Sequence, residues 1–194
     1  DGPHNELTAG QVVTETFPVT TTDGASSVVT VTITGSEDVA TLTGDSKSPT
    51  ETNEILKTGG QLTVTDLDGT PALVVAQPQT HGQYGTFSID THGEWHYVTD
   101  GPHNELTAGQ VVTETFPVTT TDGATSTVTV TITGTEDVAT LTGDSKPLTE
   151  TNDILKTGGQ LTVTDQDGTP ALVVAQPQTH GQYGTFSIDR KSVV

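Results

Sequence analysis

Apolar and polar residues alternate along several stretches of the chain. In Thr127-Val128-Thr129-Val130-Thr131-Ile132-Thr133, valine and isoleucine occupy one face and threonine the other. This period of two is typical of half-buried β-strands. Turn sequences separate the runs: Thr58-Gly59-Gly60, Asp68-Gly69-Thr70-Pro71, His92-Gly93 and Asp122-Gly123. The pattern predicts seven strands, at 38–43, 61–66, 72–76, 85–89, 94–98, 110–120 and 125–134.

The strand pattern predicts the fold class. Seven short strands with no helical period indicate an all-β protein, an immunoglobulin-like antiparallel β-sandwich. Trp95 and Tyr97 share one face of a predicted strand, so we expect them to anchor the core. His92, Glu94 and His96 lie on the opposite face, which indicates a solvated surface, with a zinc site as the alternative.

The chain repeats itself with an offset of 99 residues. A period of this length corresponds to one domain per repeat. We predict an upstream segment (residues 1–36), a complete repeat (37–135), a downstream segment (136–189) and a tail that breaks the pattern (190–194). Residues 1–90 and 100–189 differ at only seven positions: Ser26/Thr125, Val28/Thr127, Ser36/Thr135, Ser48/Pro147, Pro49/Leu148, Glu54/Asp153 and Leu67/Gln166.

The upstream and downstream segments are complementary parts of one repeat. The upstream segment carries the last two strands, and the downstream segment carries the first ones. The poles of a sandwich with ~10-residue strands are roughly 35 Å apart, so the two segments can hardly meet within one chain. We therefore expect head-to-tail self-association, which builds a fibre. A different true domain boundary is the alternative.

Composition narrows the set of partners. The chain has 25 Asp+Glu against 6 Lys+Arg, a formal net charge of −19. Such a surface repels nucleic acid and anionic membranes and attracts cations. No apolar run is long enough to suggest membrane insertion. The absence of Cys and Met suits an exposed, oxidising location, although a cytosolic protein can also lack Cys.

Acidic residues are predicted to gather at one pole of each repeat. In a sandwich entered at one pole, the turn after the second strand and the last hairpin turn both return to that pole. Calcium takes six to eight oxygens in a flexible shell, which suits carboxylates and turn carbonyls. Solvated turns are the alternative, because Asp favours turns for local reasons. The candidate calcium ligands are Glu37, Asp38, Asp66, Asp68 and Asp122, and in the downstream copy Glu136, Asp137, Asp165 and Asp167.

Two further acids are weaker candidates. Asp100 and Glu105 lie at the opposite pole of the complete repeat, where they would add oxygens to the downstream site. No nucleophile elbow, phosphate loop or zinc-protease signature occurs in the sequence. We therefore expect no enzymatic activity.

Several motifs follow one another in a specific order along the chain. They are Gly82-Gln83-Tyr84-Gly85-Thr86-Phe87-Ser88-Ile89-Asp90, Gly93-Glu94-Trp95-His96-Tyr97, Leu106-Thr107-Ala108-Gly109-Gln110, Thr113-Glu114-Thr115-Phe116-Pro117-Val118, Thr121-Asp122-Gly123 and Val130-Thr131-Ile132-Thr133-Gly134-Thr135-Glu136-Asp137. These motifs resemble the VCBS-type, cadherin-like tandem repeats of large bacterial RTX- and Bap-type surface adhesins. The resemblance implies a cadherin-like sandwich repeated in tandem, with calcium bound at domain junctions by the Asp-x-Asp at the end of the second strand. The junction departs from the family, which usually has Asn-Asp before Ala-Pro, whereas this chain reads Ser36-Glu37-Asp38-Val39.

The resemblance also implies a function. Such repeats form a secreted, surface-held rod that is exported by a type I system and acts in adhesion or biofilm formation. The expected function is therefore a calcium-stiffened extender repeat whose partners are neighbouring repeats of the same protein. The alternative is a polysaccharide-binding or spacer module of a secreted enzyme.

Overall fold

The structure is a computed structural model that describes residues 2–69, 72–169 and 171–190. The described residues form only β-strands as regular elements, in agreement with the predicted all-β class. Within these ranges, no helix is long and apolar enough to cross a membrane. The strands are β1 (Val12–Thr20), β2 (Ser26–Thr34), β3 (Thr41–Leu42), β4 (Asp45–Lys47), β5 (Lys57–Gln61), β6 (Val64–Thr65), β7 (Gln77–His81), β8 (Gly85–Ile89), β9 (Glu94–Thr99), β10 (Val111–Thr119), β11 (Thr125–Thr133), β12 (Thr140–Thr142), β13 (Thr162–Thr164), β14 (Gln176–His180) and β15 (Thr185–Ile188).

The chain divides into two compact units, each made of three stretches of sequence. The first unit contains Asp1–Lys47, Lys57–Val98 and Thr113–Val130. It includes the hairpin β1-β2, the pair β3-β6 and the four-stranded sheet β5-β9-β8-β7. Its other sheet has the order β10-β11-β4, in which β4 runs parallel to β11 with Ser46 opposite Thr129. The sandwich is therefore antiparallel apart from this one short pair among its described strands.

An aromatic cluster forms the core of the first unit. The rings of Phe87 and Phe116 stack with centroids 4.6 Å apart, and Trp95 lies 6.0 Å from Phe87. Tyr97 packs against Phe116 with centroids 5.8 Å apart. Trp95 is 0% exposed and Tyr97 is 1% exposed, which confirms the predicted core anchors. Such tilted and stacked pairs stabilise a core beyond the area that they bury.

The second unit contains Ser48–Leu56, Thr99–Val112 and Thr131–Val194. Its strand pairs include β12-β13 and β14-β15, which repeat β3-β6 and β7-β8 at the offset of 99. Leu106 and Ile132 are its most buried apolar side chains. The predicted tail 190–194 lies outside the described residues except for Arg190.

One predicted strand is wrong, and another is interrupted, since the run 61–66 contains only the last residue of β5 and the short strand β6. Residues 72–76 were expected to form a strand, but among the described residues of this run only Val74 makes a β-bridge, to Thr120. The strand lies further on, at β7, which the polar sequence Gln77–His81 gave no reason to expect. β7 is an edge strand of its sheet, which is where Pro78 is tolerated.

One predicted turn is also wrong. Gly59 and Gly60 were expected to mark a turn, but both lie inside β5, opposite His96 and Trp95 of β9. A Cβ added to Gly59 would lie 2.5 Å from the carbonyl oxygen of Trp95. The two glycines therefore allow close approach of the backbones around Trp95. By contrast, Gly69, Gly93 and Gly123 have positive φ angles, as expected in turns.

Candidate calcium sites

The first acidic cluster lies where the chain enters the complete repeat. β3 and β6 are antiparallel with Thr41 opposite Thr65, so the end of β6 lies beside the segment that precedes β3. Asp66 and Asp68 follow β6, and Glu37 precedes β3. One carboxylate oxygen from each of these three acids lies within 4.8 Å of the others. Residues far apart in sequence are thus brought together by one strand pair.

Two further acids join the first cluster. Asp38 donates its backbone N–H to Oδ2 of Asp68 at 3.4 Å. Asp122 lies in the β10-β11 turn, where it accepts hydrogen bonds from the N–H of Ala40 and the hydroxyl of Thr120. The structure therefore brings the entering segment, the turn after β6 and the last hairpin turn to one place, as the topological argument expected.

The first cluster is electrostatically strained without a cation. Burial raises the pKa of Glu37, and the charges of Asp68, Asp66 and Asp122 raise it further. Burial, followed by the hydrogen bond with Asp68, raises the pKa of Asp66. The hydroxyl of Thr120 instead lowers the pKa of Asp122. The ionised forms of Glu37 and Asp66 are therefore disfavoured, in part because neighbouring like charges repel.

The second acidic cluster repeats the arrangement in the downstream segment. β12 and β13 are antiparallel with Thr140 opposite Thr164, which places the turn after β13 beside the entering segment. One oxygen each from Glu136, Asp165 and Asp167 lies within 4.8 Å of the others. Burial raises the pKa of Glu136, and so do the charges of Asp167 and Asp165. Because burial also raises the pKa of Asp165, this cluster is strained in the same way.

Glu51 belongs to the second cluster, although sequence reasoning did not select it. Its side chain is 1% exposed. Its Oε2 accepts hydrogen bonds from the N–H and hydroxyl of Thr135, at 3.2 and 2.7 Å. The N–H of Glu51 binds the carbonyl oxygen of Thr133 at 2.7 Å, which fixes the residue beside the end of β11. Burial raises the pKa of Asp137, and the nearby charge of Glu51 raises it further.

No sequence signal singles out Glu51, because its neighbours Thr50 and Thr52 are also the same in both copies. No alternation or turn motif surrounds it, which is why the strand pattern passed over it.

Asn104 has a buried side-chain oxygen without a partner and contacts the downstream segment. Its Nδ2 donates to Oε1 of Gln166 at 2.6 Å. Gln166 lies between Asp165 and Asp167 and differs from its counterpart Leu67. The side-chain nitrogen of Asn104 is thus held by Gln166, while its side-chain oxygen, Oδ1, is buried without a partner.

Buried oxygens without a hydrogen-bond partner mark both clusters. In the described part of the chain, six buried side-chain atoms have no partner, and all are oxygens. They are Glu51 Oε1, Asp66 Oδ2, Asn104 Oδ1, Asp137 Oδ2, Asp165 Oδ1 and Asp167 Oδ2. Buried polar atoms are nearly always hydrogen-bonded, so each exception needs an explanation. A set consisting of carboxylate and amide oxygens fits calcium.

Glu114 is a buried acid outside the two clusters, and it differs from them because its carboxylate is hydrogen-bonded by the protein. Glu114 is 9% exposed but accepts hydrogen bonds from the hydroxyl of Tyr97 and from the N–H groups of Gln83 and Tyr84. Its carboxylate is satisfied by the protein itself. Glu114 therefore stabilises the turn between β7 and β8 and calls for no ion.

The two weaker ligand candidates, Asp100 and Glu105, are paired with a histidine. Asp100 and Glu105 both pair with His103, whose Nε2 is 2.9 Å from Asp100 Oδ1 and whose Nδ1 is 2.8 Å from Glu105 Oε1. The neighbouring Asn104, rather than these acids, carries the unpartnered oxygen.

The structure does not group His92, Glu94 and His96 into the zinc site that was the alternative interpretation of this strand face. His92, Glu94 and His96 are exposed, and the pair closest to one another, His96 Nε2 and Glu94 Oε1, is 3.4 Å apart. Groups of three acids or histidines with the spacing for a metal occur, among the described residues, at the two acidic clusters only.

The sequence of the complete repeat matches a known domain family. A family model described as a bacterial cadherin-like domain matches residues 37–135, about half of the chain. The chain belongs to the bacterial cadherin-like domain family. The matched residues are those of the predicted complete repeat, although the domain boundaries stay a prediction. Cadherin-like domains of this family are typically extracellular and non-catalytic, and they commonly bind calcium. A comparison with curated proteins returned no match.

Proposed function

We propose that this cadherin-like chain is a calcium-stiffened extender of a secreted bacterial surface adhesin of the VCBS, RTX or Bap type. Its role is structural, in cell adhesion or biofilm formation. The observation that carries the proposal is the set of six buried, unpartnered oxygens in the two acidic clusters. Solvated turns do not explain these atoms, because they are shielded from water.

The two clusters together describe one complete junction site. We assign Glu51 and Asn104 of the complete repeat, whose buried oxygens have no partner, to the same site as Glu136, Asp165 and Asp167 of the downstream segment. The first cluster adds Asp122 of the β10-β11 turn, which accepts hydrogen bonds from the N–H of Ala40 and the hydroxyl of Thr120. Superposing the copies gives carboxylates from both repeats and from the segment that joins them. Such a site has enough oxygens for the six to eight positions that calcium prefers.

The stiffness of the junction depends on whether the negative charges of its acids are neutralised. Without a cation, the acids of the junction repel each other and keep the connecting segment Thr135–Val138 from one fixed geometry. When calcium is bound, Glu51 and Asn104 of one repeat and Asp165 and Asp167 of the next hold the same ion. Their separation is then fixed, and the junction becomes stiff. Neighbouring repeats of the same protein are thus the primary partners.

Under this proposal, the calcium concentration determines whether the junction is filled, and this concentration differs between the cytosol and the outside of the cell. Extracellular modules bind calcium with Kd of about 10⁻⁴–10⁻³ M. Millimolar calcium outside the cell then fills the junction, whereas the calcium-poor cytosol leaves it open. An open, looser chain before export is compatible with type I secretion.

Small-angle X-ray scattering of the whole chain tests the proposal. We expect the profile to change from a flexible to a stiff chain when EDTA is replaced by millimolar calcium, with no such change in magnesium. Asp165→Asn/Asp167→Asn should abolish the change, whereas Asp153→Asn, an exposed acid of the same segment, should preserve it. Identical profiles in EDTA and calcium would contradict the proposal.

A further inference from the structure

The first part of the complete repeat lies directly beside its last strand and runs in the same direction. β4 pairs in parallel with β11, with Ser46 opposite Thr129. In the same register, Thr50 makes a parallel bridge to Thr133. These segments are far apart in sequence, so the contact joins the start of the repeat to its end.

Hydrogen bonds close this contact at its downstream end. The N–H of Glu51 donates to the carbonyl oxygen of Thr133 at 2.7 Å, and the N–H of Thr133 donates to the carbonyl oxygen of Pro49 at 3.1 Å. The hydroxyl of Thr135 adds a bond to Oε2 of Glu51 at 2.7 Å. Because Glu51 is 1% exposed, water does not readily replace these bonds when they break.

The upstream end of the contact is closely packed. Nε1 of the buried Trp95 donates to Oδ2 of Asp45 at 3.1 Å, which ties the first residue of β4 to the core. A Cβ added to the preceding Gly44 would lie 2.5 Å from the carbonyl oxygen of Thr127. Glycine at this position therefore lets the backbone approach β11 closely.

Tension along the chain loads this contact lengthwise. The chain enters the repeat ahead of β4 and leaves it after β11. A pull on the two flanks draws β4 towards the entry and β11 towards the exit, so the two parallel strands must slide past each other. The bonds of a parallel pair are spaced evenly along it, so sliding strains all of them together. Strands that are pulled apart from one end instead lose their bonds one at a time.

We propose that this parallel contact, formed by residues 45–51 and 128–135, is a tension clamp that resists unfolding of the repeat under a pull along the chain. A surface-held rod is pulled between its two attachments, so the clamp adds load bearing to the proposed extender function, on which this role in the cell rests. The clamp consists of hydrogen bonds within the protein and therefore acts without calcium. Resistance to forced unfolding is governed by the unfolding rate, which depends on the direction of the pull as well as on stability.

Single-molecule force spectroscopy of the full chain in EDTA tests the clamp, because the chain has no natural cysteine to compete for attachment. Val39→Cys/Val138→Cys places handles at exposed residues before β4 and after β11, and pulls the clamp lengthwise. Val39→Cys/Thr125→Cys is the matched control, which pulls the start of β4 sideways from the start of β11 at an exposed residue. At one loading rate, we expect the lengthwise pull to need at least about twofold more force.

A wedge in the clamp provides a second variant. Gly44→Ala places its Cβ against Thr127 and should separate β4 from β11. We expect this change to lower the ratio of the lengthwise to the sideways force, whereas a general loss of stability would lower both forces alike. Gly143→Ala makes the same change in the downstream copy, where the added Cβ meets no described atom within 4 Å, and should leave the ratio unchanged.

Two outcomes would overturn the inference. One is a lengthwise force equal to or below the sideways force, and the other is the same force ratio in Gly44→Ala as in Gly143→Ala. Equal melting temperatures of the two cysteine variants ensure that the forces compare directions rather than stabilities. Because all pulling is done in EDTA, failure of this test leaves the calcium proposal untouched, and a lack of calcium binding leaves the clamp untouched.

Discussion

Replacing Glu51 by Gln removes one charge from the second cluster with almost no change in shape. Glu51 is 1% exposed, and its Oε1 has no hydrogen-bond partner in the described part of the chain. Glutamine retains an oxygen that can accept from Thr135. The main loss is therefore the carboxylate charge that the proposed site offers to calcium.

The size of the effect of Glu51→Gln on stability follows from the linkage between calcium binding and folding. For Kd of about 10⁻⁴–10⁻³ M, about 10 mM calcium stabilises the folded chain by roughly 1.4–2.7 kcal/mol. If Glu51→Gln weakens binding about tenfold, the stabilisation falls by roughly 1 kcal/mol. For a domain of this size, that loss corresponds to about 4–8 °C of the calcium-induced shift in melting temperature.

Differential scanning calorimetry in EDTA and in calcium measures this shift. The matched control is Glu150→Gln, which makes the same change at the exposed counterpart of Glu51. We expect the control to keep the full calcium shift. Equal shifts for Glu51→Gln and Glu150→Gln would refute the placement of Glu51 in a calcium site.

Three further predictions concern the junction, the acidic pole and the core. Gln166→Leu, which installs the residue found at position 67, should release the amide of Asn104 and weaken calcium binding several-fold by titration calorimetry; unchanged affinity would show that the contact does not orient the ligand. In EDTA, acids whose folded pKa is raised, such as Glu37 and Asp137, contribute stability that is present at low pH and lost as pH rises through the folded pKa. The melting temperature in EDTA should therefore rise as the pH falls through the folded pKa values of these acids. In calcium the same change should lower the melting temperature, since protons compete with the ion; the same slope in both buffers would contradict this. Gly59→Ala should destabilise the fold by about 1–3 kcal/mol in denaturant unfolding, because its Cβ would lie 2.5 Å from the backbone of the facing strand, whereas its copy Gly158→Ala, with nothing within 4 Å, should be neutral; equal effects would refute the close-packing argument.

Alternation was sufficient to predict the fold class, the two long hairpin strands and the aromatic core. The strands β8 to β11 lie within one or two residues of their predicted positions because their buried faces alternate strictly. β5 and β7 were missed for a different reason. Gly59 and Gly60 are needed for close approach to Trp95, and β7 is an edge strand with a polar sequence, so neither carries an apolar pattern.

The acidic pole could be predicted only in part. Turn motifs located Asp66, Asp68 and Asp122, because topology returns those turns to one place. Glu51 enters its cluster through the parallel alignment with the end of β11, a pairing that no local pattern specifies. Asn104 enters it through a hydrogen bond to a residue 62 positions away. Long-range pairings of this kind are decided by the tertiary structure.

Isothermal titration of the whole chain with calcium tests the central claim most directly. The account predicts saturable binding with Kd of about 10⁻⁴–10⁻³ M, no comparable binding of magnesium, and loss of binding in Asp165→Asn/Asp167→Asn combined with Asp66→Asn/Asp68→Asn. The absence of calcium-specific heat at millimolar concentrations, or binding that survives in the fourfold variant, would contradict it.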